Sequence, residues 1–163
     1  MPDIEGCRSS ENHLNFRKIA GERRATDRIV RLWRTTRDKQ SVLYTINGSP
    51  LWEHCFLFVV DDEIECSVII DHGVRAARGL ALEKCLSTPL SNLSTSLARR
   101  IHGLALKSRA EDAPAFDACE DGEDEDMPVR HYRMAVVPLE RPDPGEAFPQ
   151  RNGTNMLGVF TYQ

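Results

Sequence analysis

The chain has 163 residues, of which 40% are hydrophobic and 28% charged, and its formal net charge is −4. This length and apolar content suit a single domain with one hydrophobic core, and they exclude a fibrous or wholly disordered chain. The negative net charge argues against a whole-domain surface for nucleic acid or anionic membranes.

Five cysteines are scattered without a CxxC pair, and the first residues contain no apolar stretch of the secretory kind. An odd number of cysteines in such a context is typical of reduced thiols. No apolar run approaches the roughly 20 residues that span a bilayer. We therefore predict a soluble, cytoplasmic protein without membrane contact.

The N-terminal part of the chain is predicted to contain an arm and a helix. Residues 1–25 are polar and show no hydrophobic period, which predicts a flexible arm. Residues 26–39 follow an N-cap signal and carry Ile29, Val30 and Trp33 at helical spacing. This pattern predicts an amphipathic helix whose other faces are rich in arginine.

The next elements are a predicted hairpin and two helices. Apolar runs rich in aromatic and β-branched residues at 54–60 and 64–70 flank a short acidic turn, and they predict two antiparallel strands. A helical pattern follows at 74–81. Pro89 opens a longer predicted helix, whose apolar residues recur every three or four positions as far as Ala105.

Three strands are predicted in the last third of the chain, at 115–119, 129–137 and 154–162, the second ending before a proline. Seven of the ten residues from 117 to 126 are acidic. A solvated loop is the usual structure of such a run, and a docking surface for a basic partner is the alternative.

Two strands, a helical stretch and three closing strands form an element order that resembles the PAS domain, in particular a divergent bacterial family of short PAS-like proteins. The segments that carry the resemblance are the opening hairpin at 56–60 and 66–70, the long helix at 97–102, and the final strands at 132–139 and 156–160. The resemblance covers residues 40–163, which we predict to be the PAS-like domain.

The resemblance implies an α+β fold, with a five-stranded antiparallel sheet, helices on one face and an N-terminal flanking helix. It also implies bacterial signal transduction through small-molecule sensing or protein–protein interaction, with a second copy and an unidentified signalling protein as partners. Such domains often form homodimers through the helix before the first strand. The expected dimerisation residues are Ile29, Val30 and Trp33.

No cofactor is predicted, because the sequence departs from the cofactor-binding members of the family. Cys85 does not lie in the flavin-binding motif of light-sensing PAS domains, and no histidine of the haem-binding kind stands on a clear helix. An unknown small molecule is the ligand class that the resemblance leaves open.

A ligand pocket in such a domain would lie between the sheet and the helices. Residues that alternate along a strand share one face, so Phe56 and Phe58 are expected to point the same way. The same side chains would fill a closed core instead, which the close packing of protein interiors favours. The predicted lining comprises Phe56, Phe58, Val68, Ile70, Leu93, Leu97, Tyr132, Met134 and Phe160.

The basic segment 17–39 carries nine Arg or Lys residues against three acidic ones and has three interpretations. We favour dimerisation through its apolar face, and packing against its own domain is the second interpretation. The third is a nucleic-acid-associated regulator that contacts phosphates through Arg28, Arg31 and Arg34. Base-reading motifs are missing, so nucleic acid is not the expected partner.

Catalytic and metal-binding patterns are also missing from the sequence. There is no GxSxG elbow, no Cys–His motif and no phosphate-binding glycine loop, so we predict that the protein is not an enzyme. His54, Cys66 and His72 are the residues from which a metal site could be assembled. Cysteines in strands are usually small buried apolar residues, and we predict no metal.

Overall fold

One antiparallel sheet of six strands organises the computed structural model, which describes residues 25–82, 87–119, 126–140 and 153–163. The strands, in chain order β1 to β6, are Cys55–Val60, Val68–His72, Thr88–Pro89, Ala115–Cys119, Tyr132–Pro138 and Thr154–Tyr162. Their order across the sheet is β3-β2-β1-β6-β5-β4. The predicted α+β class is confirmed, and the topology is consistent with a PAS-like fold.

The sixth strand, β3, corrects the predicted number of five. Its two residues pair with the start of β2, with Val68 opposite Pro89 and Ile69 opposite Thr88. A two-residue strand is too short to show an alternating pattern, so the sequence carried no signal for it.

Four helices accompany the sheet in the described part of the chain. They are α1 over 25–35, α2 at Ser41–Ile46, α3 at Val74–Leu80 and α4 at Thr95–Glu111. Residues 1–24 of the predicted arm lie outside the described residues, and its last residue, Ala25, belongs to α1. The same is true of 120–125, which include most of the acidic run, and of the proline-rich connection at 141–152.

Helix α4 begins six residues later than predicted, because Pro89 belongs to β3 and a 3-10 turn at Leu90–Asn92 follows it. The backbone N–H of Ser96 in the first turn of α4 donates a 2.9 Å hydrogen bond to the Asp126 carboxylate. A carboxylate at this end also complements the helix dipole. The last residue of the acidic run therefore satisfies a helix terminus.

The sheet carries a hydrophobic cluster on each face. Helices α3 and α4 pack on the face that we call inner, together with Phe56, Phe58 and Phe160. Helices α1 and α2 cover the outer face, which includes Val137 and Val159. The N-terminal helices therefore lie on the side of the sheet opposite to α3 and α4.

The pairing of β1 with β2 contains a β-bulge. Leu57 lies opposite Asp71, whereas the next residue of β1, Phe58, lies opposite Ile69. Ile70 is thus an extra residue without an opposite partner. Because directly opposite residues share a face, the bulge turns Ile69 to the inner side with Phe58.

Gly158 lies at the centre of the sheet under an aromatic ring. It is opposite Phe56, and a Cβ at this position would overlap the Phe56 ring. The missing side chain lets that ring lie flat on β6, where it also stacks on Phe58 with ring centroids 5.2 Å apart.

None of the described helices combines the length and the apolar character needed to cross a membrane.

Candidate functional site

Seven of the nine predicted pocket residues lie together in the inner hydrophobic cluster. Their exposed fractions are 8% or less, and Tyr132 and Phe160 stack with centroids 5.4 Å apart. The seven are Phe56, Phe58, Leu93, Leu97, Tyr132, Met134 and Phe160. In this structure their side chains pack as a core, and a ligand-binding role for them stays a prediction.

The other two, Val68 and Ile70, lie outside this cluster. Both are only partly buried, whereas Ile69 between them is 1% exposed and belongs to the inner cluster. The β-bulge at Ile70 is the physical reason, because an extra residue shifts the phase of the alternation.

The apolar face of α1 packs against the chain's own sheet. Ile29, Val30 and Trp33 are buried in the outer cluster with β5 and β6, so within one chain they face its own sheet. The indole Nε1 of Trp33 donates a 2.6 Å hydrogen bond to the Pro138 carbonyl oxygen. Within one chain these three residues therefore pack on their own domain, which was the second interpretation of the basic segment, and their contact with a second copy stays a prediction.

The end of α1 is held by a lysine. The Lys39 ammonium lies 4.1 Å from the centroid of the Trp33 ring and donates hydrogen bonds to the carbonyl oxygens of Trp33 and Thr36. A cation at a helix C-terminus satisfies unpaired carbonyl groups and complements the dipole. Lys39 therefore fixes the helix end and the buried indole together.

The arginine-rich side of α1 is open to solvent. Arg28, Arg31, Arg34 and Arg37 are exposed, and no ion pair joins them to another residue of the described ranges. Their guanidinium groups are thus available to an external anion.

A groove of about 390 Å³ lies on the outer face beside α2, and we call it the α2 groove. Tyr44 stands at its rim with 83% of its surface exposed, the largest value among the described large hydrophobic residues. The lining comprises Gln40, Leu43, Tyr44, Asn47, Trp52, Leu57, Asp71, Leu139 and Asn155.

The pairing of the strands explains the floor of the α2 groove. Leu57 of β1 lies opposite both Leu157 and Asp71, on the outer face that α1 leaves uncovered at this end. Val42 and Ile46 anchor α2 in the outer cluster, which turns Tyr44 to solvent. No helix or strand is predicted for residues 40–46 from the sequence, although Val42 and Ile46 are spaced as on one face of a helix.

A polar cluster closes one end of the inner core. The Tyr132 hydroxyl donates a 2.7 Å hydrogen bond to the Asp117 carboxylate, which also lies 3.4 Å from an Arg100 nitrogen. Burial raises the pKa of Tyr132, and the hydrogen bond to Asp117 and its charge act in the same direction. The phenol therefore remains a proton donor at neutral pH and serves as a structural contact.

No group of three metal-ligating side chains occurs among the described residues. His54 and His72 lie near one end of β1, whereas Cys66 lies beyond its other end. An extended strand of this length separates its ends by roughly 16 Å, far more than a metal can bridge. These three residues do not form a common site.

Comparison with known proteins found no family model that matches the chain, and no curated protein matches it. Among solved structures, the chain is similar to a sensory box sensor histidine kinase from Vibrio cholerae, at 10% sequence identity and a TM-score of 0.40. The match covers 78% of this chain and 96% of the other. A likeness of this kind concerns the fold and identifies no binding site.

Proposed function

We propose that this chain is a PAS-like sensory or protein-interaction domain of bacterial signal transduction, which acts by binding and not by catalysis. The element order and the sheet order support the proposal, with the five longer strands in the sequence β2-β1-β6-β5-β4. Helices α3 and α4 on the inner face and α1 before the sheet complete the arrangement that the resemblance implies.

The observation that carries the proposal is the contrast between a filled core and an open groove. The inner cluster packs Phe56, Phe58 and Phe160 to full burial, so a small molecule would have to displace them. The α2 groove, in contrast, offers apolar and aromatic surface without any rearrangement. Binding through this outer surface is therefore the mode that we favour.

We infer that the occupant of the α2 groove is a second copy of the chain. A two-fold interface brings the same patch of both copies together, so the patch needs both a protruding group and a recess. Tyr44 is the protruding group, and Leu43, Trp52 and Leu57 line the recess beside it. Tyrosine and tryptophan are also the residues that most often dominate interface energetics.

The experiment that tests this proposal is sedimentation equilibrium of the full chain and of two matched variants. We expect a dimer for the original sequence and a dissociation constant at least about tenfold higher for Tyr44→Ser. Phe116→Ser is the control, because Phe116 is 54% exposed but lies on β4, away from α2. Equal association of both variants would contradict the role of the groove.

Nucleic-acid binding through α1 is the second candidate, and the exposed row of arginines favours it. Binding that depends on phosphate contacts weakens steeply as salt increases. Gel retardation at low salt with the triple variant Arg28→Gln, Arg31→Gln, Arg34→Gln tests this candidate. Unretarded DNA and RNA with the original chain would end it.

A further inference from the structure

Two glycines bring α3 unusually close to its neighbours. A Cβ at Gly73 would overlap the backbone of Trp52 and Glu53, and a Cβ at Gly79 would overlap the Tyr162 ring. The Gly73 backbone N–H also donates a 2.8 Å hydrogen bond to the carbonyl oxygen of Cys55. Helix α3 is thus fixed between the 3-10 turn Pro50–His54 and the end of β6.

This packing creates a groove of about 430 Å³ along α3, which we call the α3 groove. Its volume lies within the range of small-molecule sites. Its lining consists of Glu53, His54, Val74, Arg75, Arg78, Tyr162 and Gln163.

Glu53 orients one arginine and leaves its outer nitrogens available. The Arg75 Nε lies 3.2 Å from the Glu53 carboxylate, and neither terminal Nη has a partner among the described residues. Arg78 is one turn further along α3, on the same side, and its guanidinium group forms no hydrogen bond or ion pair within the described ranges. Two guanidinium groups therefore line the groove, and the Glu53 carboxylate contacts one of them.

The His54 imidazole is influenced by both members of the Arg75–Glu53 ion pair. Burial lowers the pKa of its imidazole, the Arg75 charge lowers it further, and the Glu53 carboxylate opposes them with a smaller effect. The other ionisable groups in the lining are Arg78, Tyr162 and the terminal carboxylate of Gln163. The protonated form of the imidazole is thus disfavoured by burial and by the neighbouring Arg75 guanidinium.

We propose that the α3 groove binds a small organic oxyanion, whose carboxylate or phosphate group lies between Arg75, Arg78 and His54. The planar guanidinium group of arginine can donate two parallel hydrogen bonds to a carboxylate or to a phosphate. The lining also offers apolar surface to the rest of the ligand, because Val74 is 53% exposed and Tyr162 contributes an aromatic ring. This site is separate from the α2 groove and does not depend on dimerisation.

The test is an NMR titration of the His54 imidazole in the full chain, with a His54→Gln variant to assign its signal. Inorganic phosphate and acetate are the two probes, each compared with chloride at equal ionic strength. An anion that binds beside the imidazole stabilises its protonated form, so we expect the probe to raise the pKa of His54. A rise with phosphate alone identifies phosphate compounds, and a rise with both extends the class to carboxylates.

Variants decide whether the response belongs to the groove. Arg75→Gln and Arg78→Gln should each reduce the probe-dependent rise at least about threefold, since each removes one of two guanidinium partners. Arg31→Gln, which removes an exposed arginine of α1, should leave it unchanged. An imidazole that responds to neither probe, or a rise that persists in both α3 variants, would overturn the proposal. The oligomeric state of the chain has no bearing on either result.

Discussion

Trp33 and Pro138 are 105 positions apart in the sequence, and a 2.6 Å hydrogen bond joins the indole Nε1 of the first to the carbonyl oxygen of the second. The bond is buried and links α1 to the last residue of β5. It ties the flanking helix to the sheet, so that α1 and β5 are expected to move together.

Trp33→Phe should therefore destabilise the fold. The Pro138 carbonyl oxygen would lose its partner inside the outer cluster, at a cost of about 2 kcal/mol in the free energy of unfolding. Urea denaturation measures this value. Trp52→Phe is the control, since Trp52 is only partly buried and should lose less than about 1 kcal/mol. Equal losses in the two variants would contradict the importance of the bond.

Substitution by alanine at two glycine positions should change the stability in opposite directions. Gly158→Ala places a methyl group against the Phe56 ring, and we expect a loss of about 2 kcal/mol. Gly103 is exposed on α4 with open space around it, so Gly103→Ala should stabilise the helix by up to about 1 kcal/mol. Thermal unfolding of both variants measures whether each substitution raises or lowers the stability. A Gly158→Ala variant as stable as the original chain would contradict the close packing of the Phe56 ring on β6.

The bulge in β2 predicts unequal effects of alanine at adjacent isoleucines. Ile69→Ala removes a side chain that is 1% exposed in the inner cluster and should cost about 3 kcal/mol. Ile70→Ala, at the bulged position, should cost at most about 1 kcal/mol. If chemical denaturation shows a larger loss of stability for Ile70→Ala than for Ile69→Ala, β2 pairs without the bulge.

The order of the elements along the chain and most of the inner face were predictable, because their signals are local. The apolar runs at 55–60 and 154–162 and the helical period before Ala105 depend on residues a few positions apart. Which side chains of β2 face the inner core was not predictable, since the extra residue is visible only in the pairing with β1. The strand propensity of the residues alone does not reveal a β-bulge that depends on pairing with another strand.

The surfaces were less predictable than the core. An amphipathic helix such as α1 has the same sequence pattern whether its apolar face meets its own sheet or a second copy. The choice depends on residues more than 100 positions away, such as Val137 and Val159. The α3 groove likewise depends on two glycines, whose role becomes visible only when Tyr162 and Trp52 are seen against them.

His54 should make the fold sensitive to mild acid. Its pKa in the folded chain is lowered from the ordinary value of 6.5, so the unfolded chain binds a proton first as the pH falls. Stability is therefore lost as the pH falls through 6.5, and the loss is complete below the folded pKa. Urea midpoints should fall less between about pH 8 and about pH 5 in His54→Gln than in the original chain. His131→Gln, which removes an exposed histidine, is the control.

The thiols should react in order of burial. Burial raises the pKa of Cys55 to about 12, and its side chain is inaccessible, so it should stay unmodified by iodoacetamide in the folded chain. Cys66 is exposed and should be modified, although partial desolvation and the carboxylates of Asp61 and Glu63 raise its pKa. Mass mapping of the labelled peptides gives the order, and early labelling of Cys55 would contradict the burial of β1.

Hydrogen–deuterium exchange at low and high chain concentration tests the dimer interface most directly. If a second copy occupies the α2 groove, amides of Ser41–Ile46 and Pro50–His54 should become more protected as the concentration rises. The same concentration series with Tyr44→Ser should show no such change, and 25–35 should be unaffected in both. Protection that is independent of concentration throughout, or that rises in 25–35 instead, would contradict docking at the α2 groove.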